Sequence, residues 1–362
     1  MINVIYLVSR LKQSGPINQA FNIVKGMDKR ECNMIVVTLS PEQELTRLQM
    51  YKDAGIEVIQ LNRKDRDIFG CVRDLKKIIK ERHIDIIHSS GDRPDLCNHL
   101  LRKRVATVTT LRSEVSNIAE RKGRLISWIT QKVHVKNILT IQIPVACSHF
   151  LADSIEKSTG RNVSVIHNCV NTDFYKPSEN KIKIRESIGL PSNSRIFLSL
   201  GSIIKRKNND ILLQYFEKAK RPNDLLVVAG RGELLEDYRA RYKSPNIVFT
   251  GRVDALPYLQ AADFLISASL SEGLPNTVLE AIACGVPVIL SDIGPHREIL
   301  EAGNVGCVFD ANDFKSLENA IVESDRFEYE KLSSLCRQVA LKHFSVKATS
   351  NSYLQLYKSI IK

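Results

Sequence analysis

The sequence predicts a doubly wound α/β protein of two domains. Three observations carry this. Short apolar runs without strict alternation recur along the chain, separated by stretches of helical spacing, which is the pattern of parallel strands covered on both faces. The pattern stops at a polar, proline-marked segment and then restarts. The length, 362 residues, exceeds one average domain and suits two.

The elements follow in order. "INVIYLVS" reads as a first strand, and "GPINQAFNIVKGMDKR" as a helix with Ile17, Phe21 and Val24 on one side. "NMIVVTLS" and "IEVIQLN" are strands two and three. "DIFGCVRDLKKIIKERH" is a helix with Ile68, Val72, Leu75 and Ile79 on one side. "IDIIHSS", "ATVTTLRS", "QIPVACS" and "SVIHN" complete a first domain over 1–172. The segment 173–189, with Pro177, reads as the linker. The second domain, 190–343, begins at "RIFLSLGS". It continues through "DILLQYFEKA", "DLLVVAG", "NIVFTG", "ALPYLQAA", "DFLISAS", "NTVLEAIAC", "VPVILSD" and "CVFD". A last helix, at about 344–362, is free to return to the first domain. Two such domains imply a cleft at the strands' C-terminal ends, where ligands of these sheets bind.

Composition narrows the function. The chain is 43% hydrophobic and has no apolar run of the roughly 18 residues a bilayer span needs. Its start reads as a buried strand and not as a signal peptide. The eight cysteines are scattered without a C-x-x-C pair, which fits buried thiols in a reducing cytoplasm. The net charge of +12 is uneven: residues 1–172 hold 27 Lys/Arg and 17 Asp/Glu, a balance of +10, and the remainder holds 25 and 23, a balance of +2. The first half therefore faces something anionic. With 6% aromatics and no nucleic-acid-binding motif, nucleic acid is not expected. An anionic membrane surface is. Between Arg121 and Ala152 there is no acidic residue. There "RKGRLISWITQKVHVKNIL" sets Leu125, Ile129 and Val133 on one helical face. Beside them lies a docking stripe of Arg121, Lys122, Arg124, Trp128, Lys132 and Lys136.

The chemistry concentrates in "SEGLPNTVLEAIACG", residues 271–285. A strand ends near Ser269, Pro275 suits a first helical turn, and Gly285 suits a helix end. Glu272 then lies in the strand-to-helix loop and Glu280 one turn into the helix. Either the two acids simply complement the helix dipole, or they share a ligand with the backbone of Gly273, Leu274, Pro275, Asn276 and Thr277. Helix-start amides favour phosphate and carboxylates accept hydroxyls, so the ligand carrying both is a nucleotide sugar. "GSIIKRKNND" places Ser202, Lys205, Arg206 and Lys207 in another strand-to-helix loop. "LVVAGRGELLED" begins like a dinucleotide fingerprint, but Leu235 stands where the third glycine belongs, so it reads as a tight turn.

At this point the sequence resembles the GT-B glycosyltransferases of the large retaining family four. "SEGLPNTVLEAIACGVPVILSD" is similar to that family's E-x7-E signature. "VACSHFLADSI", "VIHNCVNTDFYKP", "LSLGSIIKRKNNDILL", "LLVVAGRGELLEDYRA" and "NIVFTGRVDALPYLQAADFLISAS" match its flanking pieces in order. The resemblance implies two Rossmann-like domains, the first binding acceptor and the second donor, with retention at the anomeric carbon. It implies that Glu280 grips the ribose and Glu272 the donor sugar, both residues facing one donor. Lys207 takes the family's lysine position on the diphosphate, while Ser202 stands where an arginine is usual, so Arg206 or Lys205 must supply that charge. Arg252 and Val253 fall in the base-binding loop, and Gly15 in the loop that abuts the diphosphate. "HSSGDRPD" and "TTLRSEVSN" line the acceptor side, with Arg93 and Arg112 as candidates. Arg112 stands near a position that is often His, and either meets acceptor or pairs with Glu114.

The reading is a transferase from a nucleotide sugar, UDP-linked by expectation, to a glycan on a lipid diphosphate. It would work at the inner face of the cell membrane in O-antigen, capsule or exopolysaccharide assembly. No D-x-D motif lies in a suitable loop, "DRD" at 65–67 preceding a helix. Neither a metal nor another cofactor is therefore expected. The rivals are a nucleotide-sugar epimerase, a non-catalytic glycan-binding relative and, disfavoured by Leu235, an NAD-dependent oxidoreductase.

Overall fold

The computed structural model describes residues 1–113, 132–219 and 221–361, with backbone alone for 124–131. The chain forms two compact units, Met1–Cys169 with Val346–Lys362, and Val170–Ser345.

The first unit is a seven-stranded parallel sheet. Its elements are β1 (Ile2–Val8), α1 (Gly15–Gly26), β2 (Cys32–Thr38), α2 (Leu48–Asp53), β3 (Val58–Gln60), α3 (Ile68–Glu81) and β4 (Ile86–Ser89). They continue with α4 (Asp92–Leu101), β5 (Ala106–Leu111), α5 (Arg124–Thr140), β6 (Ile143–Ala146), α6 (His149–Thr159) and β7 (Ser164–Val165). The strand order is β3-β2-β1-β4-β5-β6-β7, so the winding reverses between β1 and β4. Alternation along β1 explains the two-sided burial. Val4, Tyr6 and Val8 enter a core with Phe21 and Tyr51, while Ile5 and Leu7 enter the opposite one with Cys71 and Leu75. Asp67 caps α3 by accepting from Gly70 N at 2.8 Å. Ser148 caps α6 at Leu151 N, and Gly160 at φ 71° ends that helix.

The second unit is a six-stranded parallel sheet. It contains α7 (Lys181–Ser187), β8 (Arg195–Leu200), α8 (Asn209–Lys218), β9 (Asp224–Ala229), α9 (Leu235–Arg241), β10 (Ile247–Gly251), α10 (Ala255–Ala261) and β11 (Phe264–Ser267). Then come α11 (Asn276–Ala283), β12 (Val288–Ser291), α12 (Gly294–Glu301), β13 (Gly306–Phe309), α13 (Phe314–Glu323) and α14 (Tyr329–His343). Its order, β10-β9-β8-β11-β12-β13, reverses between β8 and β11. The last helix, α15 (Val346–Ile361), belongs to the first unit, where Tyr353, Leu354 and Tyr357 join the core of Val4 and Tyr6.

The segment 173–189, read from its polarity as a linker, lies in the second unit and contains α7. Arg185 anchors it, donating to the carbonyls of Ala261, Ser192 and Ser194 and pairing with Asp263 at 2.6 Å. All eight cysteines are free, and seven are buried. Among the described residues no helix is long and apolar enough to cross a membrane.

Candidate active site

In the second unit the crevice beyond β8 and β11 is the place where a doubly wound sheet binds ligand. β8 runs out at Leu200 into Gly201, Ser202 and Ile203, followed by a single 3-10 turn, Lys205–Lys207. β11 runs into the 268–275 loop and then α11, which opens after Pro275 without a side-chain cap or an acidic first turn. Pro275 thus sits one position before the helix and not within it.

The two loops are joined by charge. Lys207 Nζ lies 2.5 Å from Glu272 Oε1, and Arg206 Nη1 lies 3.1 Å from Glu272 Oε2. Arg206 also donates to the Ser271 carbonyl, and Leu270 N donates to the Arg206 carbonyl at 2.9 Å. "KRK" is therefore not a solvated loop. Arg206 and Lys207 turn inward, while Lys205 and Ser202 stay exposed. Burial raises the Glu272 carboxyl, but Lys207 and Arg206 overcome it and hold the group down at about 2.

Glu280 has the opposite environment. Burial pushes its carboxyl up to about 7, opposed by a hydrogen bond from Tyr175, whose own phenol is raised by burial and by the Glu280 charge. A recess between the loops is lined by Gly201, Ser202, Lys207, Asn209, Ser267 and Thr277. Within electrostatic reach of Glu272 and Lys207 lies His296, fully buried, with Nδ1 2.8 Å from the Ser291 carbonyl and Nε2 unpartnered. Burial lowers the imidazole to about 4 against the pull of Glu272. Tyr175 and His296 are the residues that sequence reasoning missed. The signal for His296 was its place in "GPHRE", after a strand as the other loops are; for Tyr175 it was its place in the matching stretch "VIHNCVNTDFYKP".

The glycines of "AGRG" have a structural cause. A Cβ on Gly230 would come within 1.7 Å of the Gly201 oxygen, and one on Gly232 within 2.0 Å of the Ile203 oxygen. Backbone approach to the β8 loop, not a dinucleotide, requires them. Arg252, after β10, is exposed and Val253 half-buried.

In the first unit Gly15 opens α1, and Ser14 makes no side-chain cap bond. Arg112 follows β5 and donates through Nη1 to Asn168 Oδ1. Arg93 is committed internally. It donates to Ser40 Oγ, to the Lys64 carbonyl at 2.8 Å and to Cys71 Sγ at 3.1 Å. His88 is structural, 2.6 Å from the Tyr357 hydroxyl and 2.7 Å from Thr110 Oγ1. Arg121, Lys122 and the side chains of Arg124 and Trp128 lie outside the described residues; Lys132 and Lys136 are exposed on α5.

Comparison with known proteins agrees with this architecture. Residues 14–174 match the family model described as Glycosyltransferase Family 4, and residues 194–324 the model of group 1 glycosyl transferases. An Escherichia coli UDP-Gal:alpha-D-GlcNAc-diphosphoundecaprenol alpha-1,3-galactosyltransferase is 25% identical over 324 residues, covering 81% of each chain. The Escherichia coli O-antigen biosynthesis glycosyltransferase WbnH is 26% identical, over 94% of this chain and 100% of the relative. The crystal structure of Anabaena Alr3699/HepE in complex with UDP superposes with a TM-score of 0.83. It is 19% identical and covers 99% of this chain and 100% of that one. The chain belongs to glycosyltransferase family 4 and carries the GT-B fold.

Proposed function

We propose that the protein transfers a sugar, with retention, from a UDP-sugar to a glycan on a lipid diphosphate, in O-antigen or related surface-polysaccharide assembly. The observation that carries this is the Glu272–Lys207–Arg206 cluster at the β8/β11 crevice, with Glu280 one helical turn further on. Relatives that name a diphosphoundecaprenol acceptor and O-antigen biosynthesis support the acceptor class.

In this reading the second unit holds the donor. Arg252 and Val253 border the base, Glu280 takes the ribose, and Gly273 to Thr277, Ser202, Arg206 and Lys207 surround the diphosphate. Glu272 takes hydroxyls of the sugar. The ion pairs preorganise the site: the cations are held where a diphosphate needs them, and the carboxylate is held ionised to accept hydroxyls. When the glycosidic bond breaks, charge grows on the leaving phosphate and the Lys207 ammonium meets it. No metal is needed for that step. In the first unit Arg112 serves the acceptor.

The test is nucleotide release from a UDP-sugar panel, with and without lipid extract as acceptor. Lys207→Ala should lower kcat by about 10²–10³. Glu272→Ala should mainly slow turnover, Glu280→Ala should mainly weaken nucleotide binding, and EDTA should change nothing. Unchanged turnover in the Lys207 variant would put the phosphate on another loop. Conversion of donor without acceptor would favour an epimerase.

A further inference from the structure

The loop that carries Glu272 is tied to the next strand by a buried chain of hydrogen bonds. Its members stand where β11 and β12, neighbouring parallel strands, run out. Ser269 lies two residues beyond β11, Ser291 ends β12, and His296 lies in the first turn of α12. All three residues are fully buried. The direction of the chain follows from which atoms can only accept. His296 Nδ1 lies 2.8 Å from the Ser291 carbonyl. A carbonyl has no proton to give, so Nδ1 carries it and Nε2 is bare. The same Nδ1 lies 3.1 Å from Ser291 Oγ. Ser291 Oγ spends its one proton on the Ser269 carbonyl at 2.6 Å, which leaves it an acceptor toward His296.

The chain ends at the acid. The Ser269 hydroxyl hydrogen-bonds the Glu272 carboxylate and helps to hold it ionised. Ser269 Oγ lies 3.3 Å from Ser267 Oγ, which is left to donate to it. Arg206 pins the same loop again: its carbonyl takes Leu270 N at 2.9 Å and its guanidinium reaches the Ser271 carbonyl. Packing does not account for His296. Its Nε2 is buried and makes no hydrogen bond, which is unfavourable. An aliphatic side chain would fill the site without that cost. What such a side chain cannot supply is the Nδ1 proton that fixes Ser291. Burial keeps the imidazole neutral, so Nε2 stays bare and the order of protons is constant.

We propose that His296 and Ser291 are positioning residues for the transfer reaction: they fix the Ser269 carbonyl, and with it the loop that sets Glu272 against the donor sugar. This deepens the proposed function and rests on it for the role of Glu272.

The experiment uses the full chain, as wild type, Ser291→Ala, His296→Asn and His296→Leu. Asparagine places an amide N–H near the position of Nδ1 but is smaller. Leucine keeps the bulk and has no donor. Hydrogen exchange of the 269–274 amides, read by mass spectrometry, follows the loop without any activity. Turnover of UDP-sugars and calorimetric titration of UDP follow the site. Ser291→Ala should speed exchange of the loop by about tenfold or more. It should lower kcat by about 10- to 100-fold and leave UDP affinity within about twofold, because UDP carries no sugar for Glu272 to meet. His296→Asn should protect the loop better and turn over faster than His296→Leu, although it leaves the larger cavity. In a Glu272→Gln background Ser291→Ala should slow turnover by less than about twofold more, since its effect runs through Glu272. Faster turnover with leucine than with asparagine would reduce His296 to packing and overturn the proposal. So would a loss of UDP affinity in step with kcat, which marks a general collapse of the donor site. Unchanged exchange and kcat in Ser291→Ala would remove the chain and leave the function reading intact. The expected exchange pattern in a protein that turns over no UDP-sugar would sink the function reading and leave the chain standing.

Discussion

Glu272 and Glu280 flank one helix start yet are pushed in opposite directions, because one faces two cations and the other is buried with only a phenol as its partner in the electrostatics. This gives nucleotide binding a pH signature. If Glu280 accepts ribose hydroxyls it must do so as a carboxylate, and its free carboxyl is held up at about 7. UDP affinity should therefore rise between about pH 6 and 8 and flatten above. Glu280→Gln should remove that rise and weaken binding by about 1.5–3 kcal/mol at high pH. Stability should show the matching sign. A carboxyl raised by folding is not penalised below its unfolded value and is penalised fully above about 7. Glu280→Gln should thus melt higher than wild type at pH 8 and no higher at pH 4.5. Calorimetric titration and melting across pH check both. The two acids are legible in the sequence because spacing and a helix start locate them. Tyr175 is not, because it reaches Glu280 from a segment about 100 residues away, and the matching stretch "VIHNCVNTDFYKP" does not say which side chain it faces.

At the scale of elements, the strands are legible because buried parallel strands are short continuous apolar runs bounded by turns. Several helices are not. α4, "DRPDLCNHLL", buries Asp95, Asn98 and His99. Its inward face is polar and hydrogen-bonded, so no hydrophobic period marks it. The loop after β8 shows the same limit. Its basic residues are visible in sequence, but the glycines that let it lie against the β9 loop look like a cofactor motif until the backbone contacts are seen. Gly232→Ala tests this. The added Cβ meets the backbone of Ile203 at 2.0 Å, which must shift. The variant should lose about 1–3 kcal/mol of stability. Because the loop leads directly to Lys205–Lys207, it should also lose donor turnover. Normal turnover in a destabilised protein would mean that the loop tolerates displacement.

At the scale of the whole molecule, the chain closes its first unit with its own end. Tyr357 reaches His88 at 2.6 Å and Tyr353 reaches Thr110 at 2.7 Å, all buried. Tyr357→Ala should cost about 3–5 kcal/mol from lost apolar burial and the cavity together, read by denaturant unfolding. The first unit also carries the charge asymmetry, and its described surface adds to the docking argument. Phe69 is 87% exposed at the start of α3. Arg73, Lys76 and Lys80 follow it along the exposed face at helical spacing. Lys132 and Lys136 are exposed on α5. A basic face with a protruding aromatic ring suits an anionic bilayer, where each Lys or Arg near the surface contributes about 1 kcal/mol. The protein should sediment with phosphatidylglycerol vesicles and be released by salt, since the attraction decays over a Debye length of about 8–10 Å. Lys76→Glu with Lys80→Glu, and separately Lys132→Glu with Lys136→Glu, should each weaken sedimentation and spare nucleotide release from donor in solution. The aromatic ring separates two mechanisms. Phe69→Ser should weaken binding that remains in high salt, because insertion of a ring is not screened. Sedimentation indifferent to salt and to both lysine pairs would remove charge as the docking force and leave the basic balance of this unit to another partner.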